Sequence, residues 1–184
     1  MKRDKKLWLI KQNKGVSLVE LIIVIGIMAV LTGIVVLSLD VIPKSRVKAC
    51  SQKIVSKMEG TRTDALSFYN AEVKIYCTSD GVYADTILYK DASTASTVTE
   101  KIGNAGVSVS FLTNESGAAY VTLQTGDYLI FSFSRSSGSF KYLKGTVGGS
   151  SVAASVYCKD LKVSSGSIVR EIELVPLTGK VYIK

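Results

Sequence analysis

The chain has 184 residues, enough for one membrane helix and one modest folded domain, and a formal net charge of +8. Residues 1–15 hold six basic residues and one acid, so a net +5 belongs to this short segment and only +3 to the remaining 169 residues. Histidine is absent, which excludes Ser-His and Cys-His nucleophiles and His-containing zinc sites. We therefore expect no enzymatic activity, no cofactor and no metal.

An apolar run follows the basic segment. Residues 21–39 are 19 residues without a charge, rich in Ile, Val and Leu. A helix of this length reaches about 29 Å, close to the roughly 30 Å hydrocarbon core of a bilayer. We predict a leader at residues 1–15 and a single-pass membrane helix at 16–40. The basic leader favours an N-terminus in the cytoplasm and a C-terminal domain outside.

The next segment, residues 41–70, has the periodicity of an amphipathic helix. Its apolar stripe is Val47, Cys50, Ile54, Met58, Ala65 and Tyr69, with most of the lysines off the stripe. Pro43 should bend the helix or mark a fresh start. Together with the apolar run, this predicts one long helix from Val16 to about Tyr69.

From residue 71 to 184 the composition changes to short β-branched and aromatic runs broken by Gly, Ser, Asn and Asp. Alternation is clearest at residues 107–111 and 129–133, and residues 124–127 and 178–180 are predicted as hairpin turns. Residues 92–99 are predicted to be polar and poorly structured. The predicted strands are 72–78, 82–90, 106–113, 118–125, 127–134, 139–143, 153–158, 167–175 and 179–183. The expected fold class is α+β, a long helix packed on a mostly antiparallel sheet.

The junction between leader and apolar run is chemically unusual. Glu20 lies just inside the run, where a charge would cost up to about 2.5–3.5 kcal/mol at the bilayer centre. Gly15 joins the basic segment directly to the apolar run, whereas a secretory signal has its small-residue cleavage site after the apolar region. Both features indicate a specialised signal.

These residues resemble the class III signal of type IV prepilins and pseudopilins: a basic leader ending in Gly, an apolar residue, Ser or Thr, two aliphatic residues, Glu and an apolar run. The resemblance implies that a prepilin peptidase cleaves between Gly15 and Val16 and methylates the new amine of Val16. It also implies that Glu20 pairs with the Val16 amine of a neighbouring subunit. A buried carboxylate needs a cation, and the only one that this segment can create is a new N-terminus.

The resemblance implies further partners: other pilin-like subunits, the cytoplasmic membrane and a pilus assembly platform. It implies a final location in a cell-surface filament, of a pilus, type II secretion or competence system. Val16 stands where phenylalanine is usual, and Leu37 where major pilins often carry a proline. Residues 171–183 are similar to the closing hairpin of H-type minor pilins and pseudopilins, as are residues 59–65 to their helix.

Two alternatives remain open. The chain could be an uncleaved, membrane-anchored surface protein, or a tip subunit whose β domain binds DNA or a secreted substrate. The second alternative depends on a basic and aromatic set formed by Lys141, Lys144, Lys159, Lys162, Lys180 and Lys184 with Tyr142 and Tyr157.

The three cysteines form no CxxC pair. Cys77 and Cys158 each end a predicted strand and are the candidate disulfide pair if the domain lies outside the cell. Cys50 lies on the apolar stripe and is expected to be a buried, unreactive thiol.

Overall fold

A computed structural model of the chain describes residues 16–115, 117–152 and 157–184. The predicted leader, residues 1–15, lies outside the described residues, and so do the side chains of residues 34–41. The chain divides into two compact units, of which the first ends at Asp40 and the second is Val41–Lys184. The described residues form one helix and two antiparallel sheets, so the predicted α+β class is confirmed.

The helix, α1, is Leu18–Ser67 and contains Pro43, so the fresh start predicted at this proline is wrong. Proline removes one helical hydrogen bond, but Val47 and Cys50 in the following turns are fully buried, and this packing holds the helix. Among the residues that the structure describes, no helix combines the length and hydropathy that a membrane span requires.

The predicted apolar stripe is confirmed in the second unit. Val47, Cys50, Ile54, Met58 and Ala65 have no exposed surface. Tyr69 was wrongly assigned to the stripe: α1 ends at Ser67, and Tyr69 is 57% exposed. Thr61 occupies the stripe instead, 1% exposed, because its hydroxyl donates to the Lys57 carbonyl at 2.8 Å and so remains hydrogen-bonded when buried.

Eleven strands lie within the described residues and form two sheets. They are β1 Asn70–Thr78, β2 Gly81–Tyr89, β3 Ala95–Asn104, β4 Ser108–Thr113, β5 Val121–Thr122, β6 Tyr128–Phe133, β7 Phe140–Val147, β8 Ser150–Ser151, β9 Cys158–Ser165, β10 Ile168–Val175 and β11 Lys180–Ile183. The six-stranded sheet has the order β3-β2-β1-β6-β7-β8 and the five-stranded sheet the order β11-β10-β9-β4-β5. Every strand ladder is antiparallel.

Most of the predicted strands correspond to observed ones, but three predictions are wrong. The stretch 92–99, predicted as poorly structured, contains the start of β3, which pairs with β2 along its whole length. The strand predicted at 118–125 is reduced to β5, two residues long. The strand predicted at 153–158 only touches β9 at Cys158, and residues 153–156 lie outside the described part of the chain.

The turn at residues 124–127 forms, with the Asp127 amide donating to the Gln124 carbonyl at 3.0 Å. It connects β5 to β6, which belong to different sheets, so it is not the predicted hairpin. The turn after β10 is the predicted hairpin, and Gly179 adopts a positive φ of 65° there.

The core of the second unit combines α1 with one face of each sheet. The alternating residues behave as predicted: Val109, Phe111, Leu129, Phe131 and Phe133 are at most 3% exposed. Arg62 ties the helix to both sheets, since its Nε donates to the carbonyls of Gly138 at 3.1 Å and Thr178 at 2.9 Å. Gly138 precedes β7 of the six-stranded sheet, and Thr178 belongs to the hairpin of the five-stranded sheet.

Candidate processing and assembly site

Ser17 begins the helix of the first unit. Its Oγ accepts a hydrogen bond from the Val19 amide at 3.2 Å, and its carbonyl accepts the first helical bond from the Leu21 amide at 3.0 Å. Ser17 is therefore the N-cap, which satisfies a backbone donor that helix formation leaves without a partner. Sequence reasoning treated Ser17 only as part of the signal. The capping-box spacing of Ser17 and Glu20 could have identified this second role.

Glu20 lies in the first turn of α1 and is exposed. A carboxylate at this end of a helix is stabilised by the partial positive charge of the helix dipole. No ion pair joins Glu20 to any other described side chain of this chain. A cation from another molecule is thus free to approach it.

The side chains around Glu20 present an unusually large apolar surface. From residue 16 to residue 33 every residue is exposed. The large apolar side chains are Val16, Leu18, Val19, Leu21, Ile22, Ile23, Val24, Ile25, Ile27, Met28, Val30 and Leu31, each at least 50% exposed. Contiguous apolar surface of this kind marks a contact with lipid or with other protein chains. Gly15, the other half of the predicted cleavage site, lies outside the described residues.

The three cysteines are free thiols, and all are buried. Burial raises the pKa of Cys50 to about 12, as expected for an unreactive thiol. Burial, together with the charge of Asp127, raises the pKa of Cys77 to about 11. Burial also raises the pKa of Cys158, whose thiol donates to the Asp160 carbonyl at 3.5 Å.

The structure does not join the predicted pair, Cys77 and Cys158. The Cys77 thiol meets the backbone of Val109, and the Cys158 thiol meets the backbone of Leu112. These two points on β4 are three residues apart, about 10 Å at the usual rise of a strand. A disulfide needs sulfur atoms about 2 Å apart.

The lysines of the DNA-binding alternative lie on two different sheets. Lys141 and Lys144 are on β7, whereas Lys159, Lys162 and Lys180 are on β9 and β11 of the other sheet. Two of the six form ion pairs: Lys162 with Glu171 at 2.9 Å, and Lys184 with Asp160 at 3.1 Å. The structure therefore does not collect the six on one strand or sheet.

A different aromatic row runs across the six-stranded sheet. Tyr83, Tyr76 and Tyr128 are register neighbours on β2, β1 and β6, on the face opposite the buried residues of β1. Tyr76 and Tyr83 stack with centroids 5.6 Å apart, and Lys74 Nζ lies 5.2 Å from the Tyr76 centroid and 4.7 Å from that of Tyr128. Several ring faces are thus already occupied, which favours a role in sheet stability.

Comparison with known proteins identifies the N-terminal segment. Residues 10–36 match the family model described as the prokaryotic N-terminal methylation motif. The chain carries a class III, type IV pilin-like signal. The match spans Gly15, Val16 and Glu20, the residues on which the sequence resemblance depends. No curated protein and no solved structure matches the chain.

Proposed function

We propose that the chain is the precursor of a type IV pilin-like filament subunit, processed by a prepilin peptidase and then assembled from the cytoplasmic membrane. The observation that carries this proposal is the methylation motif at residues 10–36. Cleavage falls between Gly15 and Val16, and the new amine of Val16 is methylated. The role is structural rather than catalytic, and the mature subunit ends in a surface filament.

Glu20 supplies the specific contact of assembly. Its exposed carboxylate has no cationic partner among the described residues of its own chain. Cleavage creates a cation at Val16, and pairing it with Glu20 of a neighbouring subunit neutralises both charges and sets the register of the two helices.

The exposed apolar surface of residues 16–33 supports the same proposal. Before assembly this surface lies in lipid, with the N-terminus in the cytoplasm and the β domain outside. Transfer from lipid to protein adds little hydrophobic gain, so helix packing and the Glu20 pair drive association. The hairpin of β10 and β11 and the residue at Leu37 support a minor, H-type subunit, and subunit stoichiometry in purified filaments tests this assignment.

The test of the assembly role is substitution of Glu20 in cells that contain the peptidase and the assembly machinery. Glu20→Ala and Glu20→Gln should both be cleaved normally but incorporated poorly into filaments, because both remove the charge. Glu20→Asp retains the charge and should assemble better than Glu20→Gln. The measurement is the amount of subunit in sheared filaments, with mass spectrometry of the mature N-terminus as the control for processing.

Two outcomes would contradict the proposal at different levels. A wild-type chain that keeps Met1 despite an active peptidase would remove the precursor function and favour the uncleaved, membrane-anchored alternative. Normal incorporation of both neutral variants would remove only the role of Glu20.

A further inference from the structure

The start of the second unit carries a concentration of positive charge. Residues 42–58 contain Lys44, Arg46, Lys48, Lys53 and Lys57 and no acid. Lys44 follows Leu39, the last residue of the uncharged run, by five residues, so even an extended chain keeps it within about 18 Å of that run. The charge therefore belongs to the flank of the membrane segment in the function proposed above.

The structure separates these five residues into two groups. Lys53 and Lys57 both pair with Glu100 at 2.9 Å, so their charge is largely compensated inside the domain. Lys44, Arg46 and Lys48 are exposed, and none pairs with an acid among the described side chains. We call these three residues the basic collar.

Arg46 also lines a groove with Lys53 and Lys101, next to the backbone of Gly103 and Asn104. Lys101 forms an ion pair with Asp80 at 2.7 Å, so Arg46 contributes the uncompensated charge of the groove. A guanidinium beside two ammonium groups suits a phosphate ester, because arginine can donate to two phosphate oxygens at once.

The position of the collar is unusual for an exported flank. Such flanks are usually poor in Lys and Arg, yet residues 42–58 hold five basic residues against six in the leader. Uncompensated basic residues beside a membrane segment attract anionic lipids, each by about 1 kcal/mol near the surface. Their long side chains can also reach headgroups from the end of a helix.

We propose that the basic collar binds anionic phospholipid headgroups of the outward-facing leaflet, which holds the folded domain at the membrane surface until the subunit enters a filament. This inference rests on the membrane placement in the proposed function. Extraction into the filament then requires release of these headgroups as well as of the apolar helix.

The test uses the full chain reconstituted in phosphatidylcholine vesicles with spin-labelled phosphatidylglycerol or spin-labelled phosphatidylcholine as the probe. Electron paramagnetic resonance measures the motionally restricted fraction of each. The wild type should prefer phosphatidylglycerol, and the triple variant K44Q/R46Q/K48Q should lose at least about half of that preference. The matched variant K90Q/K141Q/K180Q removes the same charge from exposed lysines on other strands and loops, and should keep the wild-type preference.

Salt provides an independent check, since about 0.5 M NaCl should lower the wild-type preference to that of the collar variant. An unchanged preference in the collar variant, or an equal loss in the matched variant, overturns the inference and leaves the proposed function standing. A chain that restricts neither probe overturns the membrane placement, and the inference with it.

Discussion

The chemistry of the N-terminal junction could be predicted from individual residues because it depends on local spacing. Gly15, Val16 and Glu20 are recognisable without any tertiary contact, and the motif at residues 10–36 confirms the recognition. The capping role of Ser17 depends on hydrogen bonds within one helical turn and was also within reach of the sequence. The candidate disulfide was not, because pairing of cysteines depends on how β1, β4 and β9 are arranged in space.

Cys50 makes the stability of the domain depend on pH in the alkaline range. Its pKa is raised from 9.0 to about 12, so the folded state keeps a proton that the unfolded state has lost. The free energy of unfolding should therefore be unaffected by this thiol below pH 9 and fall between about pH 9 and 12. The slope contributed by one thiol is at most about 1.4 kcal/mol per pH unit.

This slope is measured by urea unfolding at pH 8, 9 and 10, with Cys50→Ala for comparison. The variant should be less stable at pH 8, because it leaves a cavity in the core, but it should lose less stability per pH unit than the wild type. Tyrosine and lysine titration affects both proteins equally and cancels in the difference. Parallel pH profiles for the two proteins would contradict the assignment.

At the scale of elements, sequence reasoning succeeded where one face is buried and failed where neither is. The helix stripe and the strands β4 and β6 alternate clearly, since each packs one side into the core. The first five residues of β3 are all exposed, and this edge strand is held by backbone pairing with β2. Backbone pairing leaves no apolar pattern in a sequence, which is why β3 was missed.

The turn after β10 offers a sharp test of an element contact. Gly179 has a positive φ of 65°, and a Cβ built there would lie only 1.9 Å from the Gly138 carbonyl oxygen. Gly166, in the turn between β9 and β10, has a similar φ of 59°, but a Cβ there meets nothing within 4 Å. The two glycines therefore share the conformational requirement and differ in the space around them.

Gly166→Ala should cost only about 1 kcal/mol, the strain of a side chain in the left-handed region. Gly179→Ala should cost clearly more, since the turn must also move away from Gly138 and from Arg62, which donates to both loops. Chemical denaturation of the two variants measures the difference. Equal losses would mean that the close approach of the two loops adds nothing to stability.

At the scale of the whole molecule, the two units have opposite surface properties. The first exposes its apolar side chains, while the second buries its own around a continuous core. Only the second therefore has the means to fold in water by itself. A subunit that is inserted in a membrane first and assembled later needs this division, because the domain must be folded in both states.

Residues 41–184 alone should fold cooperatively, whereas residues 68–184 should not. The shorter chain lacks Val47, Ile54 and Met58, which are fully buried against the sheets. Burial of each is worth about 1.5–3 kcal/mol, and the combined loss rivals the 5–15 kcal/mol total stability of a typical domain. The only tryptophan, Trp8, is absent from both chains, so amide NMR dispersion and hydrogen exchange are the suitable measurements. A well-dispersed spectrum from residues 68–184 would show that the helix is an accessory to the sheets, and an unfolded 41–184 would show that the domain depends on the apolar segment.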